Sequence, residues 1–309
     1  MNRGCAICLG EPPVTGLYHS RCLETLFDAK QSPALEADLK GLHALALSMI
    51  GHTSISGVQK KVSLSLSSDR ATLRVVFGPS HYILKPQTES FPHLPENEHA
   101  TMMLARLFGI EVPPCGLVEL RDGTLAYIIR RFDRTLSGGK FRQEDFCQLA
   151  EFSPKEKYHG SAELCVKIVN RHAAEPLAEL LKLYRLLVFV WWSGNGDMHL
   201  KNFSLLIESD NRPGLSPAYD LVCTDLYPGL DPSLALPLCG KKGKLTRATW
   251  LRFARYAGIP EKAAGRVLET IPDLLPDARD LLDRSWLPDD LKQRYAEGLD
   301  QRARLVQSR

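Results

Sequence analysis

The sequence of 309 residues lacks a long hydrophobic run. Its longest apolar stretch, 186–192, is far shorter than the roughly 18 residues that a membrane-spanning helix needs. It also lacks a dominant charge of one sign, because 39 Lys and Arg oppose 36 Asp and Glu and leave a net charge of +3. This small excess argues against a nucleic-acid coat protein and against a polybasic membrane binder.

Internal repeats, low-complexity tracts and an apolar N-terminal signal core are also missing. With 44% hydrophobic and 24% charged residues, the composition is that of an ordinary globular protein, for which we expect a cytoplasmic location. A disulfide framework is not expected without export. Five of the eight cysteines stand among apolar residues, where cysteine usually acts as a small buried hydrophobe.

The hydrophobic pattern changes from period two to helical spacing along the chain, which predicts a two-lobed α+β fold. Strands are predicted at 62–66, 73–77 and 82–85, a helix at 96–108 and a hairpin at 116–129. Beyond residue 143 the pattern is mostly helical, with two strand-like pieces at 203–207 and 217–223. The predicted domains are a Cys/His-containing cap, a small strand-rich N-lobe and a larger all-helical C-lobe, at 1–34, 35–134 and 135–309.

The densest chemical signal is the loop GNGDMHLKN at 194–202, in which Asp197 precedes Asn202 by five positions. Protein kinases use an Asp and an Asn at this separation, the first to accept the proton of the attacking hydroxyl and the second to hold Mg²⁺. Asp220 follows in AYDL and offers a second carboxylate of the kind that Mg²⁺ prefers. Either aspartate alone could equally cap a turn or end a strand, but the ordered set predicts phosphoryl transfer.

The upstream strands and helix supply complementary charges. Lys85 ends the predicted strand YILK and could reach nucleotide phosphates, although a lone lysine more often marks a solvated strand end. Glu98 opens the next helix and could form the Lys–Glu pair that kinases need. Glu96 is a rival partner, and both glutamates could instead be ordinary charges at a helix N-terminus.

Neither G-x-G-x-x-G nor G-x-x-x-x-G-K-[ST] occurs in the sequence. The candidate phosphate loop is TSISGVQKK at 53–61, where one glycine, small hydroxyls and two lysines could surround phosphates, although an ordinary polar turn has the same composition. Phosphorylation of Ser54 or Ser56 would place about −1.5 to −2 charges where ATP phosphates bind. Self-phosphorylation would therefore act as an off switch.

Three cysteines and a histidine cluster near the N-terminus. The spacing of Cys5, Cys8, His19 and Cys22, C-x₂-C followed by H-x₂-C, resembles a small zinc knuckle and supplies ligand types that suit tetrahedral Zn²⁺. The alternative is three unligated cysteines in a short cap that packs on the N-lobe.

With these residues assembled, the chain resembles the HipA-family toxin kinases of bacterial toxin–antitoxin modules, and in particular their short HipT-like branch. The resemblance implies a two-lobed kinase-like fold and ATP- and Mg²⁺-dependent phosphorylation of a protein serine, with aminoacyl-tRNA synthetases as the substrate class. The matching stretches, in family order, are SISGVQKK (54–61), YILKP (82–86), ENEHATMMLARLFGIEVP (96–113), YIIRRFDR (127–134), RQEDFCQLA (142–150), KYHGS (157–161), GNGDMHLKNFSLL (194–206) and AYDL (218–221).

The resemblance also implies roles for individual residues. Asp197 matches the catalytic base, and Asn202 and Asp220 match the Mg²⁺ ligands. Ser54 matches the autophosphorylated serine, and Ser56 adds a second one. The implied nucleotide contacts are Ser56, Gly57, Val58, Gln59, Lys60, Lys61, Lys85, Arg130, Arg131, Phe132, His199, Leu200, Lys201, Asn202, Tyr219 and Asp220.

The partners implied by the resemblance are a protein substrate, a HipB-like DNA-binding antitoxin and a small HipS-like protein, with DNA contacted only through the antitoxin. No membrane partner is implied. Two other functions compete with a toxin kinase, namely a kinase-fold small-molecule phosphotransferase and an inactive pseudokinase or zinc-bearing binding module. The stretches RQEDFCQLA and KYHGS favour the toxin kinase over the first, and the joint presence of Lys85, Asp197, Asn202 and Asp220 argues against the second.

Overall fold

The computed structural model describes residues 3–35, 37–48, 61–135, 139–209, 211–231 and 233–307. Two compact units divide the chain. The first unit comprises residues 1–103, 113–139 and 281–289, and the second comprises residues 104–112, 140–280 and 290–309. No helix among the described residues is both long and apolar enough to cross a bilayer.

A five-stranded antiparallel sheet forms the centre of the first unit, with the strand order β2-β1-β3-β5-β4. The strands predicted at 62–66 and 82–85 and the predicted hairpin are confirmed, and the strand predicted at 73–77 is confirmed for 73–75 only. The bounds are Val62–Leu66 (β1), Leu73–Val75 (β2), Tyr82–Lys85 (β3), Cys115–Glu119 (β4) and Leu125–Arg130 (β5).

Three helices begin within the first unit. They are Ser20–Phe27 (α1), Leu39–Ser48 (α2) and Leu94–Leu107 (α3). The N-terminal cap packs into the core of this unit, because Phe27 lies with its ring centroid 5.7 Å from that of Tyr82, and the Tyr82 hydroxyl donates to Leu26 O at 3.0 Å. The sheet therefore has the cap as part of its hydrophobic covering.

The second unit is mostly helical and also contains a small antiparallel sheet of order β6-β7-β8, at Arg142–Asp145 (β6), Ser204–Ile207 (β7) and Pro213–Leu215 (β8). The strand predicted at 203–207 is confirmed. The strand-like piece predicted at 217–223 is wrong, because the chain there is irregular and forms no ladder. The helices are Phe146–Leu149 (α4), Ala162–His172 (α5), Pro176–Trp192 (α6), Arg247–Tyr256 (α7), Glu261–Asp283 (α8) and Asp289–Gln307 (α9).

Large aromatic side chains of α6 form the centre of the second unit. Trp191 lies 5.8 Å, centroid to centroid, from Trp250 of α7, and Trp192 lies 5.5 Å from Phe108. The last part of α6, from Leu186 to Trp192, is apolar on every side, as a buried helix requires. The loop 194–202 leaves the C-terminal end of this helix, so its position depends on the most rigidly packed part of the unit.

Candidate active site

Lys85 and Glu98 form an ion pair inside the first unit. Lys85 Nζ contacts Glu98 Oε1, and the two side chains are only 3% and 1% exposed. The Lys85 ammonium also lies 5.5 Å from the ring centroid of Tyr127 on the neighbouring strand, within the range of a cation–π interaction. Glu96, the rival partner, instead faces His93, with its Oε1 3.2 Å from His93 Nδ1. The structure therefore pairs Lys85 with Glu98.

Arg130 and Arg131, which the resemblance implies to contact the nucleotide, are engaged within the first unit. The Arg131 guanidinium donates to both carboxylate oxygens of Asp133 at 2.8 Å. Burial by itself would raise the pKa of Asp133, but the hydrogen bonds and charge of Arg131 outweigh it and lower the pKa. The backbone N–H groups of Arg130 and Arg131 donate to Pro114 O and His81 O. These two amide groups therefore already have backbone acceptors within the first unit.

The loop that carries Asp197 is fixed by backbone contacts in the second unit. Gly196 N donates to Thr224 Oγ1 at 2.7 Å, and that hydroxyl donates to Gly194 O at 3.1 Å. Only glycine fits at 196, since a Cβ there would lie 2.4 Å from Asp231 O. Asp197 N donates to the side-chain oxygen of Asn195, a residue that is 1% exposed. Close packing of the loop therefore explains why a glycine follows Asn195 in the sequence.

Tyr158 and His199 surround the Asp197 side chain. The Tyr158 hydroxyl donates to Asp197 Oδ1 at 2.5 Å, and the Tyr158 and His199 rings meet edge to face at 5.1 Å. Burial lowers the pKa of His199, and the charges of Asp197 and Asp220 offset that effect only in part. Partial burial and the hydrogen bond to Asp197 raise the pKa of Tyr158. Near neutral pH, two neutral groups therefore flank this carboxylate.

Asn202 and Asp220 provide the oxygen atoms of a candidate cation site. Asn202 ends a 3₁₀ turn at Leu200–Asn202, and its Nδ2 donates to Asp197 O at 3.2 Å, which fixes the amide and leaves its oxygen for a ligand. Asp220 has a left-handed φ of 56°, a conformation in which aspartate is enriched and which clusters at functional sites. A carboxylate and an amide oxygen are hard donors that suit Mg²⁺. The residues present therefore fit this cation.

Three predicted nucleotide contacts have partners inside the second unit. Lys201 Nζ pairs with Asp145 Oδ2 at 2.9 Å, and Leu200 is fully buried, with its amide donating to Lys157 O. The Tyr219 hydroxyl contacts Ser204 Oγ and donates to Lys201 O at 3.1 Å, and burial raises its pKa. Tyr219 thereby fastens the chain just before Asp220 to the turn that ends at Asn202. These contacts indicate a role in holding the loop.

Most of the predicted phosphate loop lies outside the described residues. That applies to both candidate autophosphorylation sites and to four of the other residues implied to contact nucleotide, namely Ser54, Ser56, Gly57, Val58, Gln59 and Lys60. Lys61, directly before β1, is described and half-buried. Phe132 is also half-buried.

Sequence reasoning missed Tyr158, Asn195 and Thr224, which orient or brace the Asp197 loop. Tyr158 lies in KYHGS, one of the stretches that carry the family resemblance, and this match was the available signal that the stretch has a function. Gly160 of the same stretch approaches Leu200 so closely that a Cβ would lie 2.9 Å from Leu200 Cδ1. No local pattern connects Thr224 to Gly196, which is 28 residues earlier.

The N-terminal cysteines and histidine form a second cluster, in the first unit. One potential ligand atom of each of Cys5, Cys8, His19 and Cys22 lies within 4.8 Å of all the others. Among the described residues, this is the one group of three or more His, Cys, Asp or Glu side chains gathered closely enough to hold a metal ion.

Comparison with known proteins gives one family model, the HipA-like C-terminal domain, which matches residues 53–278. The protein Y4mE of Sinorhizobium fredii, which carries a provisional kinase name, is 34% identical over 270 residues, covering 82% of this chain and 63% of Y4mE. The serine/threonine-protein kinase toxin HipA of Shewanella oneidensis is 28% identical over 204 residues, which are 60% of this chain and 46% of HipA. This chain thus spans about half to two-thirds of the length of these curated relatives.

Two solved structures have a similar fold. HipA in the HipA–HipB–operator DNA complex of the Shewanella oneidensis MR-1 toxin–antitoxin system matches with a TM-score of 0.69 and 22% identity, over 82% of this chain and 65% of that one. The proinflammatory kinase CtkA of Helicobacter pylori matches with a TM-score of 0.54 and 16% identity, over 73% of this chain and 87% of CtkA. At these identities the likeness concerns the fold, and the predicted kinase-like α+β fold is confirmed.

Proposed function

Since the chain belongs to the family of HipA-like C-terminal domains, we propose that it is an ATP-dependent serine/threonine protein kinase that acts as the toxin of a toxin–antitoxin module. The observation that carries the proposal is the Asp197 loop. It combines an oriented carboxylate with an amide oxygen five residues on, and the other unit holds a buried Lys85–Glu98 pair. Pairs and loops of this kind are the working parts of protein kinases.

Each residue has a distinct task in the proposed mechanism. Mg²⁺–ATP, when bound, supplies the phosphoryl group and the cation that balances its charge. Asp197 accepts the proton of the attacking serine hydroxyl through Oδ2, because Tyr158 already donates to Oδ1. Asn202 and Asp220 offer their side-chain oxygens to the cation. Lys85 binds the phosphates, and Glu98 keeps its ammonium charged and in place inside the protein.

The proposed substrate is a cytoplasmic protein of the aminoacyl-tRNA synthetase class, whose phosphorylation would inhibit translation and growth. The proposed partners are a HipB-like antitoxin and a small HipS-like protein, and contact with DNA would be indirect. The support is the family membership together with the HipA–HipB–operator complex of the similar Shewanella protein. The chain itself carries a net charge of only +3, which suits a protein substrate better than direct DNA binding.

Intact-mass spectrometry after incubation with Mg²⁺–ATP tests the kinase activity. We expect one or two added phosphates on the wild type and none on Asp197→Gln. A matched control, Asp277→Asn, removes an exposed carboxylate of the same unit and should be phosphorylated like the wild type. Ser54→Ala/Ser56→Ala should stay unmodified yet still phosphorylate a protein in trans. A wild type that gains no phosphate and modifies nothing in trans would instead favour a pseudokinase.

Expression in cells tests the toxin role. We expect growth arrest with the wild type and normal growth with Asp197→Gln at equal protein levels, and co-expressed neighbouring genes should relieve the arrest. Comparison of the phosphoproteomes of the two strains would identify the substrate as a protein whose serine is modified only by the wild type. Equal growth of the two strains would contradict the toxin role, and phosphorylation of a small molecule alone would replace it with a phosphotransferase.

A further inference from the structure

We propose that Cys5, Cys8, His19 and Cys22 bind a structural zinc ion, and that this ion holds the N-terminal cap against the edge of the five-stranded sheet and against the helix that carries Glu98. The proposal concerns a site separate from phosphoryl transfer. It does not depend on the kinase proposal, because metal content can be measured whether or not the protein transfers phosphate.

The four side chains lie close enough together for a single ion to bind all of them. With zinc–sulfur bonds near 2.3 Å and zinc–nitrogen bonds near 2.0 Å, a thiolate and an imidazole nitrogen on one ion lie about 3.6 Å apart, and two thiolates lie about 3.8 Å apart. His19 Nδ1 lies 3.4 Å from Cys8 Sγ and 3.7 Å from Cys22 Sγ. All four ligand atoms lie within 4.8 Å of one another. The two distances from His19 thus match the required spacing, and the remaining ligand atoms lie close enough for one ion to draw them together by about 1 Å or less.

The surroundings of the sulfurs suit thiolate ligands. Gly10 N donates to Cys8 Sγ at 3.4 Å, and His19 N donates to Cys5 Sγ at 3.4 Å, so backbone amides face the atoms that would carry negative charge. Cys5 is fully buried, and the other three side chains are half-buried. Four protein ligands fill a tetrahedral ion completely, which is typical of structural zinc sites and leaves no position for catalysis.

The turn between the first two ligands makes the contacts with the sheet. Ala6 O accepts a hydrogen bond from Leu117 N at 2.8 Å, so the cap continues the hydrogen bonding beyond β4, the edge strand. Gly116 allows this approach, because a Cβ there would lie 2.9 Å from Ala6 O. Tyr18, next to the third ligand, donates its hydroxyl to Leu117 O at 3.0 Å. Fixing the turn therefore fixes the cap on the sheet edge.

The same turn also contacts α3. Ile7, between the two cysteines, has its carbonyl oxygen 3.0 Å from His99 Nε2 in a buried hydrogen bond. His99 directly follows Glu98, the partner of Lys85. An ion bound by Cys5 and Cys8 would hold both ends of the turn that contacts His99. Zinc would thus position the start of α3, and with it the carboxylate of the buried ion pair.

Metal analysis of the full chain, expressed with zinc and purified under reducing conditions, tests the site itself. We expect about one zinc per chain in the wild type and in the control Cys239→Ser, whose cysteine is outside the cluster. Cys8→Ser and Cys22→Ser should lose most of the metal. Cobalt exchanged into the wild type should give the visible absorption of a tetrahedral thiolate site. This measurement does not depend on whether the variants fold. Wild type that binds neither metal, or carries a Cys5–Cys8 disulfide, would overturn the proposal.

Hydrogen exchange tests the positioning role on the same protein, with and without a strong zinc chelator. Removing zinc should speed exchange at Leu117 N and around residues 97–101 by about tenfold or more, while the buried helix α6 of the other unit exchanges as before. Restoring zinc should restore protection, and Cys8→Ser should behave like the chelated wild type. Zinc binding without any change in exchange at these amides would contradict the positioning role. The ion would then stabilise only the N-terminal cap itself.

Discussion

The two units differ in how each one holds the charged side chains that the sequence assigns to phosphoryl transfer. In the first unit, Lys85 and Glu98 form an ion pair whose side chains are only 3% and 1% exposed. In the second, Asp197 is half-exposed, and among the described residues no lysine or arginine forms an ion pair with it. The Tyr158 hydroxyl donates to its carboxylate instead, and its own backbone N–H donates to the side-chain oxygen of Asn195.

This difference separates a charge needed for folding from a charge kept for chemistry. A buried pair is stable only while both members are present, because either one alone would be an uncompensated charge in a medium that solvates it poorly. A carboxylate oriented by neutral groups retains its capacity for a proton or a cation. Mutations of the Lys85–Glu98 pair should therefore cost stability as well as activity, whereas mutations of Asp197 should cost activity alone.

The largest expected effect on stability is that of Glu98→Gln, compared with the equally small change Asp197→Asn. The first variant leaves the Lys85 ammonium buried without its anion, and we expect it to lower the free energy of unfolding by about 3 kcal/mol. The second should change it by less than about 1 kcal/mol, since its side chain is half-exposed. Urea unfolding followed by circular dichroism measures both. Equal losses would remove the distinction between the units.

Asp133→Asn should have the next largest effect, because it breaks the buried bidentate pair with Arg131. We expect a loss of about 2 kcal/mol at neutral pH. The pKa of Asp133 lies below its usual value of 3.8, so its contribution is fully present above that pH and is lost as the pH falls through the lowered pKa. Urea unfolding across pH 3–6 should therefore show a shallower acid loss in the variant. Parallel curves would contradict this role of the carboxylate.

The sequence predicts those parts of the site that depend on local spacing. Strand β3 and helix α3 follow from apolar periodicity, so the positions of Lys85 at the end of the strand and of Glu98 near the start of the helix could be foreseen. The choice between Glu96 and Glu98 could not, because residues two apart face different sides of a helix and only tertiary packing decides which side faces Lys85. The pairing of Lys85 with Glu98 is therefore determined by the tertiary structure.

The strand expected at 217–223 shows the opposite limit. Its apolar residues have strand-like character, but a strand needs partners with free backbone groups, and no pattern within the segment reveals whether they exist. The structure gives Ala218 N one acceptor, Glu111 O, and turns the chain at Asp220 into the left-handed region. Tyr158, which is 39 residues from Asp197, was hidden for the same reason.

Tyr158→Phe should have a smaller effect, confined to catalysis. The variant keeps the ring against His199 but loses the hydroxyl that donates to Asp197 Oδ1. Loss of one hydrogen bond to a charged group, about 1.5 kcal/mol, predicts a decrease in kcat of about tenfold with an unchanged KM for ATP. Steady-state kinetics provide the check, with thermal unfolding as the control for a folded protein. A raised KM with full kcat would place Tyr158 in nucleotide binding instead.

The smallest effect is expected for Lys201→Gln. This variant distinguishes two roles of Lys201, namely contact with the nucleotide, which the resemblance implies, and support of the Asp197 loop. Its Nζ pairs with Asp145 Oδ2 at 2.9 Å, and the two side chains are 18% and 15% exposed, so the pair supports the loop from within the second unit. A partly exposed pair contributes about 1 kcal/mol or less, so we expect a small loss of stability and a KM for ATP within about twofold of the wild type.

Asp145→Asn, its matched partner variant, should give the same small loss of stability, and the double variant should lose no more stability than either single one. A KM that rises at least tenfold in Lys201→Gln but not in Asp145→Asn would show that the lysine serves the nucleotide after all. The second unit would then contain a charge, that of Lys201, that serves both folding and nucleotide binding.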